Sequence, residues 1–249
     1  MISKNTVKFI KSLQIKKYRQ KENVFLVEGA KNVLELVKSD FKINQLFLTE
    51  TFLEENRHLI PDSNFPINVV KEGDLTKVST FKTNNAALAI VEMRHEESLS
   101  FDKDEYGIVL DDIRDPGNLG TILRVADWYG IRKIICSETS ADRYNPKVIA
   151  ASMGSFTRVR ISYQILGNYL PGLSIPVLGA YLEGENVHQF KFPKSGLILI
   201  GNESAGISQP LEKMVAHKLN IPRFGGAESL NAGVATAVIC DNLRRTVTV

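Results

Sequence analysis

Three short segments of this 249-residue chain place amides, a carboxylate, a hydroxyl and a guanidinium directly after apolar runs. The first is Asp111-Asp-Ile-Arg-Asp-Pro-Gly-Asn118, followed by Arg124 among Ile122, Leu123, Val125 and Ala126. The second is Gly201-Asn-Glu-Ser-Ala-Gly206, which carries Asn202 and Glu203. The third, Ile221-Pro-Arg-Phe-Gly-Gly-Ala-Glu-Ser-Leu-Asn231, carries Ser229 and Asn231. Singly, each has a plain structural use: Asn118 stands where it could cap a helix, residues 201–206 read as a turn, and Ser229 could cap the last helix. A guanidinium in an apolar helix is costly without a partner, so Arg124 is expected to point into a cavity holding an anion or carboxylate. Gly201, at the end of its run, would let a ligand approach the backbone. Together the three segments describe a converging polar site that hydrogen-bonds a substrate.

The elements that must position these residues are legible from periodicity. From Tyr106 onward, apolar runs at 107–110, 133–136, 158–161, 175–180, 197–200 and 219–221 read as strands. They alternate with helical patterns at 119–129, 146–154, 210–216 and 230–244. Such alternation predicts an α/β fold with a parallel sheet covered on both faces. Ligands of these sheets sit where loops leave the C-terminal strand ends, and the three polar segments fall there. Upstream, apolar runs at 24–27, 45–49, 67–70 and 86–91, with helical patterns at 3–21 and 30–39, describe a smaller mixed α/β unit. The charged, Ser-containing stretch before Tyr106 reads as a linker, so the expected division is 1–95, a linker at 96–105, and 106–249.

Charge is unevenly placed. Net charge is only +3, yet residues 1–21 hold seven cations, including Lys8, Lys11, Lys16, Lys17 and Arg19, and no acid. Removing those seven leaves 24 basic against 28 acidic residues. A cationic helix suits phosphate neutralisation, although a solvated helix face has the same composition. Four scattered histidines and two cysteines in apolar runs predict no metal site and no disulfide. No apolar stretch reaches the ~20 residues of a membrane span and the first residues lack a secretory core, so a cytoplasmic protein is expected. The chain has no G-x-x-x-x-G-K-[ST] loop, no G-x-G-x-x-G after its strand at 107–110, and no G-x-S-x-G elbow. These absences disfavour Walker-type NTPases, dinucleotide enzymes and α/β-hydrolases.

Asp115-Pro-Gly-Asn-Leu-Gly-Thr-Ile-Leu-Arg124, Ile200-Gly-Asn-Glu-Ser-Ala-Gly-Ile-Ser208, and Ile221-Pro222 with Ser229-Leu-Asn231 resemble the three motifs of the SpoU/TrmH methyltransferases of the SPOUT class. Tyr144-Asn-Pro-Lys-Val148 with Ser152-Met-Gly154 resembles a further segment of that family. Phe25-Leu-Val-Glu-Gly29 is similar to the L30e-like substrate-binding domain that many members carry. The chain departs from the family pattern at Ser204, Ala205 and Ala151, and at Lys82-Thr-Asn-Asn-Ala86.

The resemblance implies a C-terminal domain with a deep trefoil knot, an exception to the rule against threaded chains. It implies S-adenosyl-L-methionine as methyl donor, held near Ala180, Gly201, Asn202, Ile221 and Leu230. It implies an RNA ribose 2′-hydroxyl as acceptor, with Arg124, Asn118, Glu203, Ser229 and Asn231 as catalytic residues, and a homodimer. The N-terminal domain favours ribosomal RNA over transfer RNA as substrate. The competing reading is a non-catalytic RNA-binding or ribosome-assembly factor on the same fold, which need not retain affinity for the donor.

Overall fold

The computed structural model describes residues 2–60, 65–95 and 98–247. Met1, residues 61–64, Thr248 and Val249 lie outside the described residues, as do Glu96 and Glu97 of the expected linker. The chain divides into two compact units, Met1–His95 with Asp142–Arg158, and Glu96–Ala141 with Val159–Val249. The segment Asp142–Arg158, which sequence reading assigned to the second half, packs with the first. Tyr144, Ile149 and Phe156 carry it there by entering the apolar cluster around Phe25 and Val33.

In the first unit, strands β1 (Val24–Glu28), β2 (Ile43–Leu48), β3 (Ile67–Val69) and β4 (Ala87–Glu92) form a sheet in the order β1-β4-β2-β3. β4 runs antiparallel to both neighbours, and β2 pairs parallel with β3. Helices α1 (Lys4–Ser12), α2 (Lys16–Glu22), α3 (Ala30–Val37), α4 (Glu50–Asn56) and α5 (Glu72–Val78) accompany it. β1 is buried along its whole length because alternate residues serve opposite faces. Phe25 and Val27 join the cluster with Val33 and Leu36 of α3, whereas Val24 and Leu26 meet Ile10, Leu13, Leu75 and Val78.

The helix expected over residues 3–21 is two helices. The break between them exposes the carbonyls of Leu13 and Gln14, and Arg19 Nη1 donates to both at 2.9 Å. Ser3 begins α1 as a helix cap, accepting from Thr6 N–H at 3.1 Å.

Among the described residues, the second unit holds seven strands: β5 (Tyr106–Leu110), β6 (Lys133–Ser137), β7 (Arg160–Gln164), β8 (Val177–Tyr181), β9 (Glu185–Asn186), β10 (Gly196–Ile200) and β11 (Val215–Asn220). Their order is β7-β6-β5-β10-β8-β11-β9, and every pairing is parallel. The parallel sheet predicted from buried apolar runs is therefore present. Here α6 (Pro116–Trp128) packs on α10 (Ala232–Val247), while the short α8 (Leu166–Tyr169) and α9 (Gln209–Glu212) pack on each other, with Leu166 and Leu211 in the cluster of Val109, Ile135, Leu197 and Leu199. Helix α7 (Pro146–Ser152) belongs to the first unit. The helix expected over 210–216 stops at Glu212, because Val215 to Asn220 pair with β8 instead. Among the described residues, no helix is long and apolar enough to cross a membrane.

Candidate active site

Strands β5, β10, β8 and β11 are consecutive neighbours and all parallel. The segments after them, 111–118, 201–206, 182–184 and 221–231, therefore leave one edge of the sheet. This shared edge brings the three polar segments together.

The loop after β10 closes on itself. Asn202 N–H donates to Gly206 O at 3.0 Å, and Gly206 N–H returns to Asn202 O at 2.9 Å. A Cβ at Gly201 would lie 2.3 Å from the Gly206 carbonyl carbon and 2.4 Å from Ile207 N. Gly201 is thus required by its own loop, a need separate from any ligand that its backbone meets in the cavity. Asn202 locks the loop to its neighbour. Its Oδ1 accepts from Ser204 and Ala205 N–H at 2.9 and 3.0 Å, while Nδ2 donates to Asp112 O at 2.8 Å and Asp112 Oδ2 at 3.3 Å.

Asp111 and Asp112 were not singled out from sequence, yet they organise the same edge. Asp111 is buried and accepts from Ser208 N–H at 2.7 Å. Asp112 has φ 60°, a left-handed conformation uncommon outside glycine, and its N–H donates to Ser137 Oγ at 2.8 Å. Arg114 Nε donates to Asp112 Oδ1 at 2.8 Å, and this bond holds the Asp112 carboxyl below its ordinary range. The available signal was two adjacent acids at the end of an apolar strand, with nowhere to go but the loops beside them.

Helix α6 starts earlier than its apolar pattern suggests. Asp115 is the cap, accepting from Asn118 N–H at 2.8 Å, and Pro116 occupies the first turn. Asn118 is therefore not the cap, and its side chain is free for other work. Asn118 Nδ2 donates to Glu203 Oε1 at 2.5 Å, and Asn231 Nδ2 donates to Asn118 Oδ1 at 2.7 Å. Asn231 Oδ1 accepts from Gly233 and Val234 N–H at 2.9 and 3.3 Å, so Asn231 rather than Ser229 holds the start of α10. One residue from each polar segment thus enters a single relay.

Arg124 departs from expectation. The buried stripe of α6 consists of Leu119, Gly120, Ile122, Leu123 and Ala126. Thr121, Arg124 and Trp128 share the exposed face, as their helical spacing requires. Arg124 makes no hydrogen bond or ion pair with any described residue, so no internal anion holds it.

A cavity of about 990 Å³ opens beside the relay. Ala180, Gly201, Asn202, Ile221 and Leu230 line it, as do Glu203 and Ser229. Asn118, Arg124 and Asn231 are not among its lining residues. Four carboxylates, on Glu183, Glu203, Glu212 and Glu228, face only two cations, on Lys218 and Arg223. Tyr181 contributes a buried hydroxyl with no hydrogen-bond partner among the described residues, and burial raises its pKa, with the Glu212 charge adding to the shift. The Lys218 ammonium sits 4.5 Å from the Tyr181 ring centroid. A buried orphan hydroxyl in the wall of a roomy cavity marks space shaped for a ligand with polar groups of its own.

In the first unit, Lys8, Lys11, Lys16 and Lys17 are exposed on α1 and α2, as phosphate contact would require. Arg19 is not. It is 1% exposed and ion-paired to Asp142 at 2.6 Å. Its guanidinium bridges the helix break and is unavailable to an external phosphate, which removes it from the predicted RNA-binding set.

Comparison with known proteins places both units. Residues 105–241 match the SpoU rRNA Methylase family, and residues 4–89 match the MRM3-like substrate binding domain. The chain is 30% identical over 245 residues to the 23S rRNA (guanosine(2553)-2'-O)-methyltransferase RlmP of Bacillus subtilis (strain 168). That match covers 96% of this chain and 95% of the relative. Among solved structures, a putative RNA methyltransferase of the TrmH family from Porphyromonas gingivalis superposes with a TM-score of 0.87 at 34% identity, covering 98% of this chain and 99% of the other. An AdoMet-bound rRNA methyltransferase from Sinorhizobium meliloti gives a TM-score of 0.86 at 27% identity, covering 98% and 97%. By family match, identity and coverage alike, this chain belongs to the SpoU rRNA methylase family.

Proposed function

We propose that this protein transfers a methyl group from S-adenosyl-L-methionine to a ribose 2′-hydroxyl of ribosomal RNA. The observation that carries the reading is the Glu203–Asn118–Asn231 relay at the edge of a cavity lined by all five residues assigned to the donor. The relatives' activities support it: one is a 23S rRNA 2′-O-methyltransferase, and another has bound AdoMet.

The cavity fits the donor. Its surplus of carboxylates complements the net positive charge of S-adenosylmethionine, and the Tyr181 hydroxyl supplies an uncommitted polar group. Ala180, Gly201, Asn202, Ile221 and Leu230 would hold it, and when bound it supplies an electrophilic methyl on a sulfonium. The chain's own residues prepare the acceptor. Asn118 fixes one oxygen of Glu203, leaving Oε2 to accept a hydrogen bond from the ribose hydroxyl. Arg124, exposed and unengaged by any described residue, lowers the pKa of that hydroxyl electrostatically or holds the adjacent phosphate; a guanidinium is already protonated and offers no acceptor to take the proton itself. Positioning supplies most of the acceleration, as in any in-line displacement between two bound reactants.

Residues 1–95 are proposed as the RNA substrate-binding domain, with Lys8, Lys11, Lys16 and Lys17 on its phosphate-facing surface, and residues 106–249 as the methyltransferase domain. A cytoplasmic homodimer is part of the same reading. The exposed face of α6 with Arg124 and Trp128, the latter 83% exposed, suits cover by a second copy. The trefoil knot is likewise proposed, supported by the insertion of β10 between β5 and β8. Isothermal titration with S-adenosylmethionine tests the core of the reading: saturable binding that is lost in Gly201→Ala supports it, and no binding by the wild type returns the protein to the non-catalytic class.

A further inference from the structure

Phe224 has no structural task. Its ring is 97% exposed, the most open large apolar side chain among the described residues, and it lies on the lip of the donor cavity. Two further apolar residues of that lip, Leu182 and Leu230, are also exposed. The ring is nevertheless presented in an organised way. Pro222 stiffens the entry to the loop, and Arg223 Nη1 donates to Ala227 O at 3.3 Å, closing residues 223–227 into a small arch. Gly225 and Gly226 complete the arch with open space about them. Phe224 stands within this arch, almost fully exposed.

We propose that Phe224 is a stacking platform for an unpaired base of the substrate RNA at the cavity mouth, with Arg223 taking the phosphate beside that base. This rests on the RNA methylation reading above and adds the residue that grips the acceptor strand. A flat ring in open solvent matches the face of any base, and aromatic side chains are the usual partners of splayed-out single-stranded nucleotides. The guanidinium of Arg223 spends one N–H on Ala227 and keeps the others for phosphate oxygens. Of the residues assigned to the donor, Ala180, Gly201, Asn202 and Ile221 lie at or just after strand ends, whereas this ring stands in open solvent on the lip of the same cavity.

The test compares wild type with Phe224→Ala, Phe224→Leu and Phe224→Trp in methyl transfer from labelled S-adenosylmethionine to an unmodified large-subunit rRNA transcript. Stacking on one base predicts a rise of roughly 5- to 150-fold in KM for RNA in the Ala variant. The Leu variant stays impaired because it lacks a flat face, and the Trp variant recovers. Donor affinity by isothermal titration and sedimentation behaviour stay as in wild type. Unchanged KM for RNA in the Ala variant overturns the proposal while leaving the methylation reading intact. A parallel loss of donor affinity overturns it by assigning the ring to the donor, and a changed oligomeric state by assigning it to self-association. If the wild type itself transfers no methyl, the parent reading has failed instead.

Discussion

Asn231 donates its side-chain amide to the Asn118 side-chain carbonyl at 2.7 Å, joining residues 113 positions apart. Each of these amides also faces a second partner: Glu203 for Asn118, and the first N–H groups of α10 for Asn231. The α10 cap and the Glu203 carboxylate are thereby held in one hydrogen-bonded chain. Gly233 permits the close approach this needs, since a Cβ there would lie 2.8 Å from Thr121 Cγ2 on α6.

Asn118→Ala should break this chain at its centre. A fall in kcat of about 100-fold is expected, the order seen when one preorganised hydrogen-bond donor is removed. The site is exposed, so thermal unfolding should shift by less than about 1 kcal/mol. Asn118→Asp should be worse, because it sets a second carboxylate against Glu203. Kinetics alongside calorimetry separate these effects.

Glycines 201 and 206 should respond differently to alanine. At Gly201 the added Cβ meets backbone at 2.3 Å, so the loop must shift, at a cost of about 1–3 kcal/mol and with loss of donor binding. At Gly206 no atom lies within 4 Å and only φ +69° is unfavourable, a cost of about 1 kcal/mol with binding largely kept. Titration of both variants with S-adenosylmethionine checks the order.

Arg19→Ala should act through stability. Both partners of its ion pair are largely buried, with side-chain exposures of 2% and 16%, so removal strands Asp142 at a cost of about 3 kcal/mol. Single alanine substitutions of Lys8, Lys11, Lys16 or Lys17 should leave unfolding unchanged. Each should lower the slope of log affinity for RNA against log salt by about one.

Cys240 should be inert. Burial pushes its thiol up to about 12, so at pH 8 it is held as the neutral thiol. A thiol-specific reagent at pH 8 should therefore leave Cys240 unmodified in the native protein and react on unfolding. Above the unfolded value near 9 the unfolded chain binds fewer protons than the folded one, so this group's contribution to stability declines from there to about pH 12.

The sheet was legible because a strand buried on both faces must be apolar throughout, as Ile108-Val-Leu110 and Leu197-Ile-Leu-Ile200 are. The polar site was legible for a related reason: Asn118, Glu203 and Asn231 follow such runs in a parallel sheet and so share an edge. Tertiary pairing was not legible. Arg124 has an apolar neighbourhood in sequence, but helical periodicity turns it outward with Thr121 and Trp128. Arg19 looks like one more cation in a basic arm, yet the helix break after Ser12 and the distant Asp142 draw it inside. Asp111 and Asp112 matter only through the loop bonds of Ser208 and Asn202, which no local pattern announces.

Methylation of a ribose hydroxyl leaves its signature on the product. Unmodified large-subunit rRNA is incubated with the protein and labelled S-adenosylmethionine, then hydrolysed in alkali, which cleaves beside every free 2′-hydroxyl. Label is expected in an alkali-resistant dinucleotide, and none with Arg124→Ala. Label released in mononucleotides, which places the methyl on a base, would contradict ribose methylation, as would no incorporation by a protein that binds the donor.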